Sequence, residues 1–285
     1  MRSPLRIIAC CLAAYAAALG LAACDNAVEP LLDEPEAFFA VHGFLDTAAD
    51  TQFVRVEPLR PSILGGADAP LDAVVTSTHL QTGATTTWRD SLVTLDDGRT
   101  GHLFFARFRP IPGDYRLTVL RSDGRATEAT TRVPDAPAVH PAPPVGDAFR
   151  LMQRVTLAGL TRPVRDVDVH YLVSSTLTDS LRTITIVYGD AGRPGAQGWD
   201  VDLFLARDLR TIRRRFVFAN ENDTTLTFFG LSMSFDLPSV EWLTPDAPAN
   251  IVHGHGFFGA VGRHTVTWRL DAEAVHTMGF VDQQP

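Results

Sequence analysis

What most constrains this chain is its punctuation. From Phe38 to Val133, apolar runs of strand length are separated by turn chemistry at intervals of about ten residues. Asp96-Asp97-Gly98, Pro112-Gly113-Asp114 and Ser122-Asp123-Gly124 combine a fixed φ, a glycine or a short capping side chain, which is what tight turns need. Between turns the side chains alternate: Tyr115, Leu117 and Val119 share one face, Arg116 and Thr118 the other. A period of two cannot be satisfied by a helix. The pattern predicts strands over 38–45, 52–57, 73–79, 85–92, 102–108, 114–120 and 125–133. Short strands at this spacing imply an immunoglobulin-like β-sandwich over residues 37–133, with Tyr115 as a packing residue.

Residues 134–144 then carry five prolines: Pro134, Pro137, Pro141, Pro143 and Pro144. Proline fixes φ and removes the backbone donor, so such a stretch favours extended polyproline geometry and a semi-rigid spacer. Residues 134–147 are therefore expected to be a linker, followed by a second β-rich domain over 148–285. Its expected strands cover 150–157, 167–174, 182–188, 199–205, 240–243, 251–258 and 264–270. A helical turn fits 207–214, because Leu205, Leu209, Ile212 and Phe216 fall at helical spacing. A hairpin is expected from Phe216-Val217-Phe218 to Thr225-Leu226-Thr227-Phe228. The expected class is all-β, an immunoglobulin-like sandwich followed by a second antiparallel domain with little helix.

Ahead of these domains the chain has a different character. Arg2 and Arg6 precede an almost unbroken apolar run over 7–21, about the length of a signal-peptide core and too short to span a bilayer comfortably. Leu21-Ala22-Ala23-Cys24 closes it and resembles the bacterial lipobox, whose cysteine sulfur takes a diacylglycerol before cleavage. Ile7-Ile8-Ala9-Cys10 fits the same four-residue pattern but has no apolar run before it. Residues 1–23 thus read as a lipoprotein signal peptide, with Cys24 as the lipid-attachment residue. One acyl chain holds a protein only marginally, and several together hold it in the membrane effectively for good. Residues 24–36 are acidic and broken by Pro30 and Pro35, the composition of a tether.

Composition removes several kinds of chemistry. With Cys10 and Cys11 in the leader and Cys24 on lipid, the exported chain has no cysteine for a disulfide, a nucleophile or a metal. The sequence contains no lysine, which excludes Schiff bases, phosphate-loop lysines and Ser/Lys dyads. Without Arg2 and Arg6, 33 acidic residues face 23 arginines, a net of −10. An acidic chain whose single basic cluster is Arg213-Arg214-Arg215 argues against nucleic acid as a partner.

Few residues carry candidate chemistry. His253 and His255 stand two apart on one expected strand, with His264 across an expected turn, a spacing that could hold zinc or copper. Gly254 and Gly256 between them fit equally well a strand built for close backbone approach. Gly230-Leu231-Ser232-Met233-Ser234 nearly matches a nucleophile elbow, but Ser234 replaces the final glycine and the context is β-hairpin. Asp166 with Asp168, and Asp200 with Asp202, would each project from one strand face, the usual sign of a solvated face. The loop Asn220 to Asp223 has no recognisable calcium pattern.

Three motifs resemble a known group. Phe39-Ala40-Val41-His42-Gly43-Phe44-Leu45 is similar to its first strand, and Ile111-Pro112-Gly113-Asp114-Tyr115-Arg116-Leu117-Thr118-Val119 to its Pro-Gly-x-Tyr-x-Leu-x-Val strand. Asn250-Ile251-Val252-His253-Gly254-His255-Gly256-Phe257-Phe258-Gly259-Ala260 resembles its Asn-Ile…Gly-x-Gly-x-Phe-Gly signature, departing from it at His253 and His255. The group comprises two-domain outer-membrane lipoproteins of Bacteroidota-like bacteria, a family of unknown function. The resemblance implies an outer-membrane address and a TonB-dependent receptor as partner, and it implies no activity. The sequence therefore predicts a non-catalytic accessory or interaction lipoprotein without a cofactor. The alternative is a ligand-capture protein whose second domain binds a sugar, peptide or metal, with Trp199 or Trp242 lining a pocket.

Overall fold

Strand alternation carries the whole architecture. In the computed structural model, which describes residues 37–59, 70–94, 100–175, 181–216, 225–243 and 250–282, the chain is all-β with little helix. The first half contributes β1 (Phe39–Asp46), β2 (Thr51–Pro58), β3 (Val74–His79), β4 (Thr85–Thr87), β5 (Arg89–Thr94), β6 (Thr100–Arg107), β7 (Gly113–Leu120) and β8 (Ala126–Val133). The second contributes β9 (Ala138–Pro141), β10 (Gln153–Ala158), β11 (Arg165–Ser175), β12 (Arg182–Gly189), β13 (Gly192–Gly195), β14 (Gly198–Leu203), β15 (Leu226–Pro238), β16 (Ile251–Val252), β17 (Gly254–Trp268) and β18 (Phe280–Asp282). Its helices are α1 (Leu205–Phe216), α2 (Val240–Leu243) and α3 (Ala272–Thr277).

One long sheet runs through both halves in the order β12-β11-β15-β17-β1-β2-β6-β5, with β18 added parallel to β15. Its inner face is covered twice. Sheet β16-β8-β7-β3-β4 packs over the β1 end and sheet β13-β14-β10-β9, with α1, over the other. Each pairing excludes water from one core. The first holds Phe39, Val41, Val54, Phe104, Leu117 and Val119; the second holds Val155, Val169, Tyr171, Leu203, Leu209 and Phe235. Burying each such side chain contributes about 1.5–3 kcal/mol.

Two cores thus flank the Pro-rich stretch, but the sheet does not divide there. β1 pairs in parallel with β17, Phe39 against Gly254 through Asp46 against Val261. Ile251, Phe258 and Ala260 consequently sit in the first core although they follow residue 148 in the chain. The Pro-rich stretch itself is more than a spacer: Ala138–Pro141 forms β9, an edge strand on β10, where proline's missing donor is tolerated.

Four local expectations change. The strand expected over 85–92 is two, because Trp88 turns inward to donate to Ser77 Oγ at 3.0 Å. β4 before it belongs to one sheet and β5 after it to the other. Residues 240–243 are helical, not extended. The hairpin arm expected from Phe216 is instead the end of α1, and residues 217–224, with the Asn220 to Asp223 loop, lie outside the described residues. The turn expected between 258 and 264 is absent, since β17 runs through fifteen residues without a break. Tyr115 packs as expected, with its hydroxyl accepting from the Ile111 N–H at 3.1 Å.

Candidate functional site

The histidines do not converge. Along β17 the buried side chains of Phe258 and Ala260, with Gly262, mark the inward phase, and Gly259 is buried on the other face only under the Phe257 ring; His264 therefore lies in the inward phase and His255 in the outward one. Nine residues of strand separate them, roughly 30 Å, whereas zinc ligands lie about 2 Å from one ion. His253 takes φ +55° and its carbonyl accepts from Phe38 N at 3.0 Å and Thr127 Oγ1 at 2.6 Å, a splice between β8 and β1. Burial pushes the His264 imidazole down, favouring its neutral form. Among the described residues no group of three or more His, Cys, Asp or Glu side chains is placed to hold a metal. Cys24 lies outside the described residues.

The serine motif yields a hydrogen-bonded chain of another kind. His170 on β11 reaches Ser234 Oγ on β15 at 2.9 Å and Thr185 Oγ1 on β12 at 2.9 Å. Ser232, the central serine of the near-match, sits opposite His170 in register but is not its partner. A hydroxyl nucleophile also needs donors aimed at the developing oxyanion. Here β15 is flanked by β11 and β17, which take its backbone groups into the ladders. The arrangement pins three strands together and lacks the parts for acyl transfer.

The paired carboxylates are occupied or separated. Asp200 accepts from Thr156 Oγ1 at 2.8 Å, and Asp202 from Arg154 Nε at 2.8 Å and Arg193 Nη2 at 2.7 Å. Partial burial opposes the charge on Asp202, but the hydrogen bonds and charges of Arg154 and Arg193 outweigh it and hold its carboxyl below the usual range. A bulge in β11 between Arg165 and Asp168 breaks the alternation, and Asp166 within it takes φ +47°. Asp166 instead borders a cleft of about 210 Å3 with Phe44, Asp46, Asp236 and Arg263. There Arg263 forks onto Asp236, both bonds 2.7 Å, which raises the guanidinium's already high pKa.

Trp199, expected near a pocket, packs against Gly192: a Cβ there would stand 2.2 Å from its Nε1. Trp242's side chain lies outside the described residues. Arg213, Arg214 and Arg215 are exposed in the last turn of α1, where positive charge suits the negative end of the helix dipole.

What the sequence reading missed is on the outer face of the long sheet. Phe44, Phe53 and Phe105 stand side by side across β1, β2 and β6, paired in register Phe44 with Phe53 and Phe53 with Phe105. Phe44 is 39% and Phe53 50% exposed. The row extends onto β17, where the Phe257 ring covers Gly259, the register partner of Phe44. At its other end Arg89 lies opposite Phe105 on β5. A signal was present: in Gln52-Phe53-Val54-Arg55-Val56-Glu57, Phe53 falls in phase with Arg55 and Glu57, the solvent phase. An aromatic placed in the polar phase of three adjacent strands covers no core.

No family model matches this chain, and no curated protein matches it.

Proposed function

We propose that this chain is a lipid-anchored outer-membrane protein that assembles with a protein partner and catalyses no reaction. The carrying observation is the row Phe44, Phe53 and Phe105 on the solvent face of a rigid sheet. Partly exposed aromatics clustered on one flat surface mark an interaction site more often than an active site, which is concave. The leader ending in Cys24 supports the membrane address, and the resemblance to outer-membrane lipoproteins supports a TonB-dependent receptor as the partner to test first. The Ser234–His170–Thr185 chain, without oxyanion donors, gives no support to hydrolysis. Capture of a small ligand by the second half would need an open aromatic pocket, and Trp199 packs against Gly192 instead.

The test uses the full-length chain in its own membranes with a photoreactive residue in place of Phe53. A discrete protein adduct at that position is expected, with none when the residue is moved to buried Val54. Illumination that yields no adduct from either position sinks the reading. The address is tested separately: Cys24→Ala should leave the membrane fraction with its fold intact.

A further inference from the structure

We propose that the aromatic row is the interface of a two-fold dimer and that its occupant is a second copy of this chain. The argument lies in what flanks the row. One alternation step further along the same face stand Asp46 on β1 and Arg107 on β6, with Arg107 opposite Thr51 of β2 in register. The acid and the base thus sit on either side of β2. Arg107 has no ion pair among the described residues, and Asp46 has none within 4 Å: its Oδ1 accepts from Ala48 N at 2.8 Å and its charge acts on Arg263 across the cleft they share.

A two-fold axis parallel to β2 lays β2 of one copy over β2 of the other, β1 over β6, and β17 over β5. Phe53 then meets Phe53, and Phe44 meets Phe105. Asp46 of each copy meets Arg107 of the other, so one operation brings an acid onto a base twice over. Arg89, beside Phe105, comes over the Phe257 ring, where a guanidinium is attracted to an aromatic face. The other axis that stacks the rows, perpendicular to the strands, brings Asp46 over His42 and Arg107 over Leu103 and gives neither charge an opposite charge across the interface. Charge therefore selects one of the two packings. An isologous contact must be self-complementary in just this way. Aligned sheets pack about 10 Å apart. Five strands by six residues give a footprint of roughly 24 by 20 Å, and side-chain relief takes it toward the ~800 Å2 per partner of a stable pair.

The proposal deepens the interaction reading by naming the partner. The strand-parallel axis also keeps both copies of β1 pointing the same way, so both chains would enter the dimer from one side, as two anchors in one membrane require.

The test measures mass by analytical ultracentrifugation on the full chain carrying Cys24→Ala, made without lipid. Dimer mass at about 10 μM is expected, a dissociation constant ordinary for an interface of this size. Phe53→Glu, a change at a half-exposed position, should give a monomer with an unchanged cooperative melt. Asp46→Arg and Arg107→Asp should each weaken association at least tenfold, and the two together should restore it. A wild-type monomer up to about 100 μM overturns the proposal, as does a dimer that survives Phe53→Glu or a double exchange without rescue. If the chain is monomeric while the photoreactive residue at 53 still captures another protein in membranes, the broader reading stands and this one falls.

Discussion

Asp208 shows how much can hang on one side chain. It is fully buried at the start of α1, where it accepts from Tyr171 Oη at 2.7 Å and Tyr188 Oη at 2.6 Å on one oxygen. Arg207 donates to the other at 3.1 Å and lies over the Tyr188 ring at 4.6 Å. Removing the acceptor strands the buried Tyr171 hydroxyl and the half-buried Tyr188 one, so Asp208→Ala should cost about 2–4 kcal/mol, read from the shift of a urea unfolding midpoint. Burial first, and then the charge of Asp208, raise both phenols above their ordinary value. A raised phenol means that the folded chain holds its proton more tightly than the unfolded one. This contribution is complete below about pH 10 and is lost as pH climbs toward the folded value. Stability should accordingly fall above pH 10, and less steeply in Tyr188→Phe; an equal slope in both proteins would rule the network out as the cause. None of this was legible in the sequence, where Asp208 reads as an ordinary acidic residue in a helix. Its partners are distant in the chain, and alternation says only that Tyr171 points inward.

At the level of elements, the strands were legible and their sheet membership was not. Periodicity places Val75, Leu117 and Val169 inward correctly, because burial on one face is a local property of a strand. It fails at Trp88, an apolar residue that looks like the continuation of a strand and instead marks the crossing between sheets. It fails again in β17, where Gly259 and Gly262 resemble a turn; Gly259 makes room for the Phe257 ring. α3 was readable in principle, since Asp271 caps it by accepting from Ala274 N at 2.7 Å, four residues of ordinary N-terminal helix signal. The outward aromatics were visible strand by strand; their alignment into a row was not, because it depends on the register of three pairs. β17 also yields a test. Gly256 has φ +113°, and a Cβ there would stand 2.1 Å from the Val41 carbonyl oxygen. Gly256→Ala should therefore force β17 away from β1 and cost about 2–3 kcal/mol or more, seen as a lowered thermal midpoint. A wild-type midpoint would mean that the parallel ladder is not as tight as described.

Among the described residues two long-range pairings join the late segment to the first half, β16 on β8 and β17 on β1. β1 has β2 on one side, its paired residues nine to nineteen apart in sequence, and β17 on the other, more than two hundred residues later. The first core also needs Ile251 and Phe258. A fragment of residues 37–141 should therefore lack a cooperative thermal transition, while residues 37–285 show one; a sharp melt from the fragment would contradict the shared sheet. For a chain synthesised from its amino end, this has a temporal meaning. Its first strand emerges early and must wait, one edge unpaired, until nearly the last segment arrives. Loop closure over that distance is slow to be rewarded, and an open β-edge is the part of a chain most ready to pair with the wrong neighbour. The same strand that finishes the fold thus sets the interval during which the protein is most in need of a chaperone.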